Sequence, residues 1–532
     1  MRAIQWVMAM VVLVSCASGS NQGVTPTDSV ADTPLVATAT IAPATATTEL
    51  VPSATTQIVP SATTQIEPSA TTVSASITET ATTAPTVAMT PTPAEPLVID
   101  TTPRQPIAGG PTLLDNRLNL RRVATMPVNS IRVVYDQKTA QLLLLNMTEG
   151  LIAVDPQTGQ MRTIAEPAII APNGMPSGLA VAANGTVFVV ANMQANGYNT
   201  ATIRRGTPNG ASYTWTTLAT TAQYPLSGTN FDHVFNGIAV TPDQQYVIVN
   251  SGSRTDHGEV EDNQGLFPNT REIPLTARLF RIPINASYIT LPNDEAALAP
   301  YIYARGFRNA YDPAFAPNGE LFVGDNGPDA DLPDEFNLVR AGGHYGFPWR
   351  FGNIDTPQRD PNYDPSQDRL LNEEFVAVQL GIYANDPDYP AAPENMIDPI
   401  VNRGPAATVY RTVDGQITDA SAMGQTLSSF TPHRSPLGLT FATAAFPASW
   451  QVPGGLSGFI LSWGAAGGDI PDKGQDLLHL QLTANPSGGY DMRAVQLIRD
   501  LRNPIDATLI DNRMYILEFG ADVALWEIEF VP

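Results

Sequence analysis

Apolar and polar positions divide this chain into two unlike parts. Up to about residue 105, apart from one apolar run at the start, the apolar side chains follow neither a strand nor a helix period. After residue 120 they form short alternating strands, each followed by a turn of Pro, Asp, Asn or Gly and a second apolar strand. The copies are Ile131-Arg-Val-Val-Tyr-Asp with Leu142-Leu-Leu-Leu145; Gly178-Leu-Ala-Val-Ala-Ala-Asn-Gly-Thr-Val-Phe-Val-Val190; Gly237-Ile-Ala-Val-Thr-Pro-Asp243 with Tyr246-Val-Ile-Val249; Pro313-Ala-Phe-Ala-Pro-Asn-Gly-Glu-Leu-Phe-Val323; Gly438-Leu-Thr-Phe441 with Gly458-Phe-Ile-Leu461; and Ile505-Asp-Ala-Thr-Leu-Ile-Asp511 with Met514-Tyr-Ile-Leu517. Strands joined by Asn-Gly and similar turns are hairpins. Six hairpin-centred units predict an all-β, six-bladed β-propeller over residues 106–532. Units hidden between about 350 and 425 would make seven or eight blades, and an array of β-sandwiches is the alternative. The central channel, where inner strands and loops converge, is the expected site.

The first part reads as targeting and spacing. Residues 4–14 are an apolar run after Arg2, too short for a spanning helix, which needs about 20 residues. The run matches the core of an export signal, residues 1–16. Its end, Leu13-Val14-Ser15-Cys16, resembles the bacterial lipoprotein lipobox, in which the Cys is acylated and becomes the first mature residue. Cys16 is the single cysteine of the chain, so no intrachain disulfide exists. Lipid anchoring at the cell envelope is expected from it. Residues 17–105 are rich in Thr, Ala, Pro and Ser and repeat Val51-Pro-Ser-Ala-Thr-Thr-Gln-Ile58 as Val59-Pro-Ser-Ala-Thr-Thr-Gln-Ile66. Proline and the lack of apolar periodicity argue for a disordered tether.

Charge narrows the partners. A formal net charge of -23, from 51 acidic and 28 basic side chains, argues against nucleic acid. It suits solubility, or recruitment of cations such as Ca²⁺.

One segment carries specific chemistry. Gly306-Phe-Arg-Asn309 leads into a hairpin, then Asp325-Asn-Gly-Pro-Asp329, Asp334-Glu-Phe-Asn337 and Gly342-Gly-His-Tyr-Gly-Phe-Pro-Trp349. In order and spacing this resembles the glucose/sorbosone dehydrogenases. The resemblance implies a propeller that oxidises a small sugar-like substrate with pyrroloquinoline quinone (PQQ). A Ca²⁺ ion polarises the quinone, and a His takes the hydroxyl proton as hydride leaves. By that resemblance His233 is the base, and Arg308 and Asn309 contact cofactor or substrate. Arg502 and Arg499 are further cofactor-binding arginines. The carbonyls of Gly327 and Pro328 ligate Ca²⁺, and Asp329, Asp331, Asp334 and Glu335 supply this ion or a second one. His433 resembles a channel-facing position, whereas His257 falls in a polar loop, His479 on a strand edge and His344 in a backbone-shaping motif. Two positions depart from the family. Asn250-Ser-Gly-Ser253 lacks the Asp that orients the base, and no Lys follows the fifth hairpin until Lys473. Two other functions stay open: a Ca²⁺-dependent lactonase propeller, and a non-catalytic glycan- or protein-binding propeller on a lipid-anchored stalk.

Overall fold

The computed structural model describes residues 107–464 and 468–532. The export signal with Cys16 and the tether, expected at 1–16 and 17–105, lie outside the described residues.

Strands wind up and down in successive sheets whose inner strands pack side by side. The first blade is Ser130–Asp136, Gln141–Asn146, Gly150–Val154 and Met161–Ala165. The second runs Met175–Val181, Val187–Ala195, Tyr198–Asn209 and Ser212–Thr221. Phe235–Val240, Tyr246–Ser251, Arg278–Pro283 and Ile302–Arg305 make the third. The fourth unit has three strands, Ala314–Phe315, Leu321–Asp325 and Glu335–Val339. Pro436–Phe441, Leu456–Ser462, Asp476–Ala484 and Tyr490–Arg499 form the fifth. The last blade joins Pro504–Ile510, Arg513–Glu518 and Ala524–Phe530 to Leu118–Thr125, so the two ends of the domain close the ring by antiparallel pairing.

The blade count departs from six equal blades: five sheets have four or more strands and the fourth unit has three. Its outer strand is missing because the chain after Val339 pairs with the third blade instead. Gly342 donates its N–H to the Tyr303 carbonyl, Arg305 to that of Gly343, and Tyr345 to that of Arg305. Residues 347–430 then form a long excursion, of which Val401–Asn402 and Leu427–Ser428 add two short strands to the outer edge of the fifth blade. They also hold the short hairpins Arg350–Phe351/Ile354–Asp355 and Val409–Arg411/Ile417–Asp419 and the helical turns Pro357–Arg359, Pro365–Gln367 and Val376–Gln379, but no further blade.

Second strands read as unbroken apolar runs because neighbouring blades cover both faces. Leu142 to Leu145, Val187 to Val190 and Phe459 to Leu461 are all buried. Their packed layers are shared between blades: Ile248, Phe307 and Val323 join the third to the fourth, and Phe322, Phe441 and Leu480 the fourth to the fifth. Each such side chain contributes about 1.5–3 kcal/mol of burial. The glycines that open several inner-strand repeats have a packing reason. A Cβ on Gly178 would lie 2.0 Å from the Asn236 carbonyl oxygen, and one on Gly237 2.4 Å from that of Tyr311. Inner strands approach one another more closely than any side chain allows.

Candidate functional site

Antiparallel strands reverse direction at every turn. The loops that enter an inner strand and those that join a second strand to a third therefore open on one face. His233 precedes the third inner strand, and Arg308 and Asn309 precede the fourth. Asp256 and Asp329 sit on the second-to-third-strand loops of the third and fourth units. These four loops meet.

The loop bearing His233 is clamped by backbone bonds: His233 donates to the Ser253 carbonyl, Gly252 to Val234, and Ser253 to Arg308. Gly252 is required there, since a Cβ would fall 2.3 Å from the His233 Cβ. The half-buried imidazole places Nδ1 3.1 Å from the Ser253 hydroxyl, which itself donates to the Thr255 carbonyl at 2.8 Å. That hydroxyl must accept from Nδ1–H, so the Nε2 lone pair is free of the ring proton. Nε2 stands 3.5 Å from an Arg308 guanidinium nitrogen. Burial and the Arg308 charge hold the imidazole well below its usual range, hence neutral.

Arg308 is fully buried. Its guanidinium donates to Asp256 Oδ1 at 2.8 Å and, through Nε, to the Asp256 carbonyl at 2.9 Å. Asp256 also meets His257 Nδ1 at 2.9 Å, the Tyr383 hydroxyl at 3.1 Å and the Asp329 N–H at 3.1 Å. Burial works to raise the Asp256 carboxyl, but Arg308 and His257 outweigh it and hold it well below the carboxylate range. His257 is raised: burial lowers it, and the Glu259 and Asp256 charges prevail. Its ring stacks on Tyr383 with centroids 3.9 Å apart. Asp329 is pushed up to about 6 by burial and the neighbouring Asp256 charge. Asn309 belongs to an amide ladder across blades, accepting from Asn236 at 2.9 Å and donating to Asn326 at 2.8 Å.

The structure thus brings together His233, Arg308, Asn309 and Asp329. Other expected residues face different partners. Asp331 holds His433 Nε2 at 2.9 Å and Arg411 Nε at 2.6 Å. Asp334 accepts the N–H groups of Gly327 and Ser435, both at 2.6 Å. Glu335 accepts from Gly352 N at 2.6 Å and Asn337 Nδ2 at 2.9 Å, and burial with the Asp325 charge raises it well above the carboxylate range. With Asp329 taking the Ala377 N–H at 3.1 Å, these four carboxyls staple loops to different partners and do not form a cation cage. Among the described residues no three His, Cys, Asp or Glu side chains converge as a metal site. Gly327 and Pro328 keep only the backbone part of the expected Ca²⁺ set. Arg499 and Arg502 are exposed between the fifth and sixth blades. Arg499 meets Asp500, and Arg502 the carbonyls of Ala521 and Asp522. At Arg308, the quinone contact expected from the resemblance meets an internal carboxylate, Asp256, that takes the guanidinium.

Sequence reasoning missed Asp256, His257 and Tyr383. A signal existed for the first two. The strand-to-strand connection from Ser251 to Arg278 is far longer than a hairpin needs, and such loops in compact domains are commonly functional.

Residues 178–359, which hold His233, Asp256, Arg308 and Asp329, match the family model for Glucose / Sorbosone dehydrogenase. Over that segment the chain is similar to the glucose/sorbosone dehydrogenases. A quinoprotein glucose dehydrogenase B of Acinetobacter calcoaceticus is 30% identical to it over 129 residues, 22% of this chain. The chain spans about a quarter of that relative, 26% of its length. The soluble aldose sugar dehydrogenase of Escherichia coli, in its apo form, superposes with a TM-score of 0.51 at 13% identity, covering 78% of this chain and 99% of that one. That likeness concerns the fold. Within the matched segment, Ser253 stands beside His233. It fixes the tautomer without adding negative charge.

Proposed function

We propose that this propeller oxidises a hydroxyl of a sugar or polyol, with His233 as the proton acceptor. The observation that carries the reading is the imidazole geometry: Nδ1–H donated to Ser253 at 3.1 Å, and a neutral Nε2 on the loop-bearing face. A base must be deprotonated and correctly oriented before the substrate arrives, and His233 is both. The proton taken at Nε2 makes an imidazolium beside Arg308, a repulsion that Asp256 offsets. PQQ and Ca²⁺ belong to the proposal through the quinoprotein relative, with the Gly327 and Pro328 carbonyls as the Ca²⁺ donors. Export and lipid anchoring through Cys16 complete it, and loss of palmitate labelling in Cys16→Ala checks that part.

The test is dye-coupled oxidation of aldoses and polyols by the full chain supplied with Ca²⁺ and PQQ, with His233→Ala as control. Turnover that falls by about 10²–10⁴ in the variant supports the assignment. A folded protein that turns over none of them overturns it. A second reading, a non-catalytic binding propeller, is favoured by the Arg308–Asp256 pair, which leaves the guanidinium sealed. Saturable glycan binding without turnover would select it.

A further inference from the structure

The cover over Arg308 is built from polar latches and an apolar layer. Tyr383 donates to Asp256 Oδ2 at 3.1 Å and stacks on His257. Tyr389 donates to the His257 carbonyl at 2.7 Å, and Ala377 N–H to Asp329 at 3.1 Å. Arg271, on the same long loop as Asp256, grips Asp386 through two nitrogens at 2.7 and 2.9 Å. Beneath these, Leu370, Ala377 and Tyr383 pack with Phe231, Ala330 and Leu332. Asp256, His257 and Arg308 are all fully buried as a result. A buried arginine fork suits one carboxylate at close range. Here the carboxylate comes from the chain itself.

We propose that Asp256 and the segment 370–389 form an autoinhibitory closure: the Asp256 carboxylate occupies the Arg308 position that an acidic ligand would take. Entry of such a ligand exchanges one carboxylate for the other and lifts Tyr383 and Ala377 from their acceptors. The inference rests on the reading of Arg308 as ligand-facing. It explains why an arginine retained in the dehydrogenase motif is sealed from solvent. The apparent affinity for the ligand is then reduced by the fraction of molecules that are closed.

The test uses the full chain with Ca²⁺ and PQQ, a multiply carboxylated quinone, as the probe. Binding is read by calorimetry, and opening by amide hydrogen exchange over 370–389. Asp256→Asn keeps the side-chain shape but frees the Arg308 charge, and should bind PQQ at least about tenfold tighter than the unmodified chain. Tyr383→Phe removes one latch and leaves the pair in place, so it remains informative where Asp256→Asn fails to fold. It should bind about two- to tenfold tighter. In both, exchange over 370–389 should speed up when PQQ is added. Equal affinity in the unmodified chain and the variants overturns the closure, as does no binding by variants whose melting shows them folded. His233-dependent oxidation by the unmodified chain without any gain in the variants would sink the closure and keep the proposed activity. Tighter binding without oxidation would do the reverse.

Discussion

Two fully buried arginines occupy equivalent loops, Arg308 before the fourth inner strand and Arg434 before the fifth. Arg434 is held from within its own blade. Its guanidinium reaches both Asp476 oxygens at 2.6 Å, the Ser462 hydroxyl at 3.1 Å and Asp472. Arg308 takes its carboxylate from the loop of the preceding blade, beneath a segment that leaves the ring altogether. The first arrangement locks a blade. The second makes a contact that can be exchanged, because Asp256 keeps His257 and the Asp329 N–H when Arg308 is withdrawn.

The largest expected effect separates the two. Arg434→Ala leaves the buried Asp476 charge with the Gln496 amide but without its counter-charge and should cost about 3–5 kcal/mol in denaturant unfolding. Arg308→Ala should cost less, since Asp256 retains donors. Equal losses would make both arginines purely structural. Next comes Gly178→Ala, which drives a methyl into the Asn236 carbonyl and should cost about 1–3 kcal/mol in the same assay while the Arg308 cluster stays intact. Ser253→Ala should leave stability nearly unchanged and lower turnover about two- to tenfold, the worth of one hydrogen bond that holds the His233 tautomer.

The smallest effect is a displacement on the pH axis. His233 sits below the usual imidazole value of about 6.5, so turnover should hold through that pH and fall only in more acidic solution. Arg308→Gln removes a charge that depresses it and should move the acid limb upward. For stability the sign is fixed by the unfolded chain, which binds the His233 proton first. The contribution is present above about pH 6.5 and is lost as pH falls below it. A limb that stays put in Arg308→Gln would detach Arg308 from the base.

Much of this was written in local pattern. The hairpins at Gly178, Gly237 and Gly438 announced themselves through alternating apolar residues and turn chemistry, which depend on a few consecutive positions. His233, Arg308 and Asn309 were legible because they sit in short motifs beside those hairpins. The partners of the acidic run were not legible, for the opposite reason. Asp331, Asp334 and Glu335 are neighbours in sequence, but in a strand or tight loop successive side chains point apart, and each found a different donor. The three-stranded fourth unit was equally invisible, because only the competing bonds from residues 342–345 to the third blade explain it.

Local pattern, then, accounts for the repeated strand pairs, the all-β class, the Gly306–Trp349 motif and the residue types available to it. Tertiary structure alone decided that Asp256 reaches Arg308, that Tyr383 covers both, and that four adjacent carboxyls serve four separate tasks. Strand periodicity is set by nearest neighbours along the chain. A buried charge is satisfied by whatever donor or acceptor the folded loops bring within hydrogen-bond reach, and sequence distance says little about that.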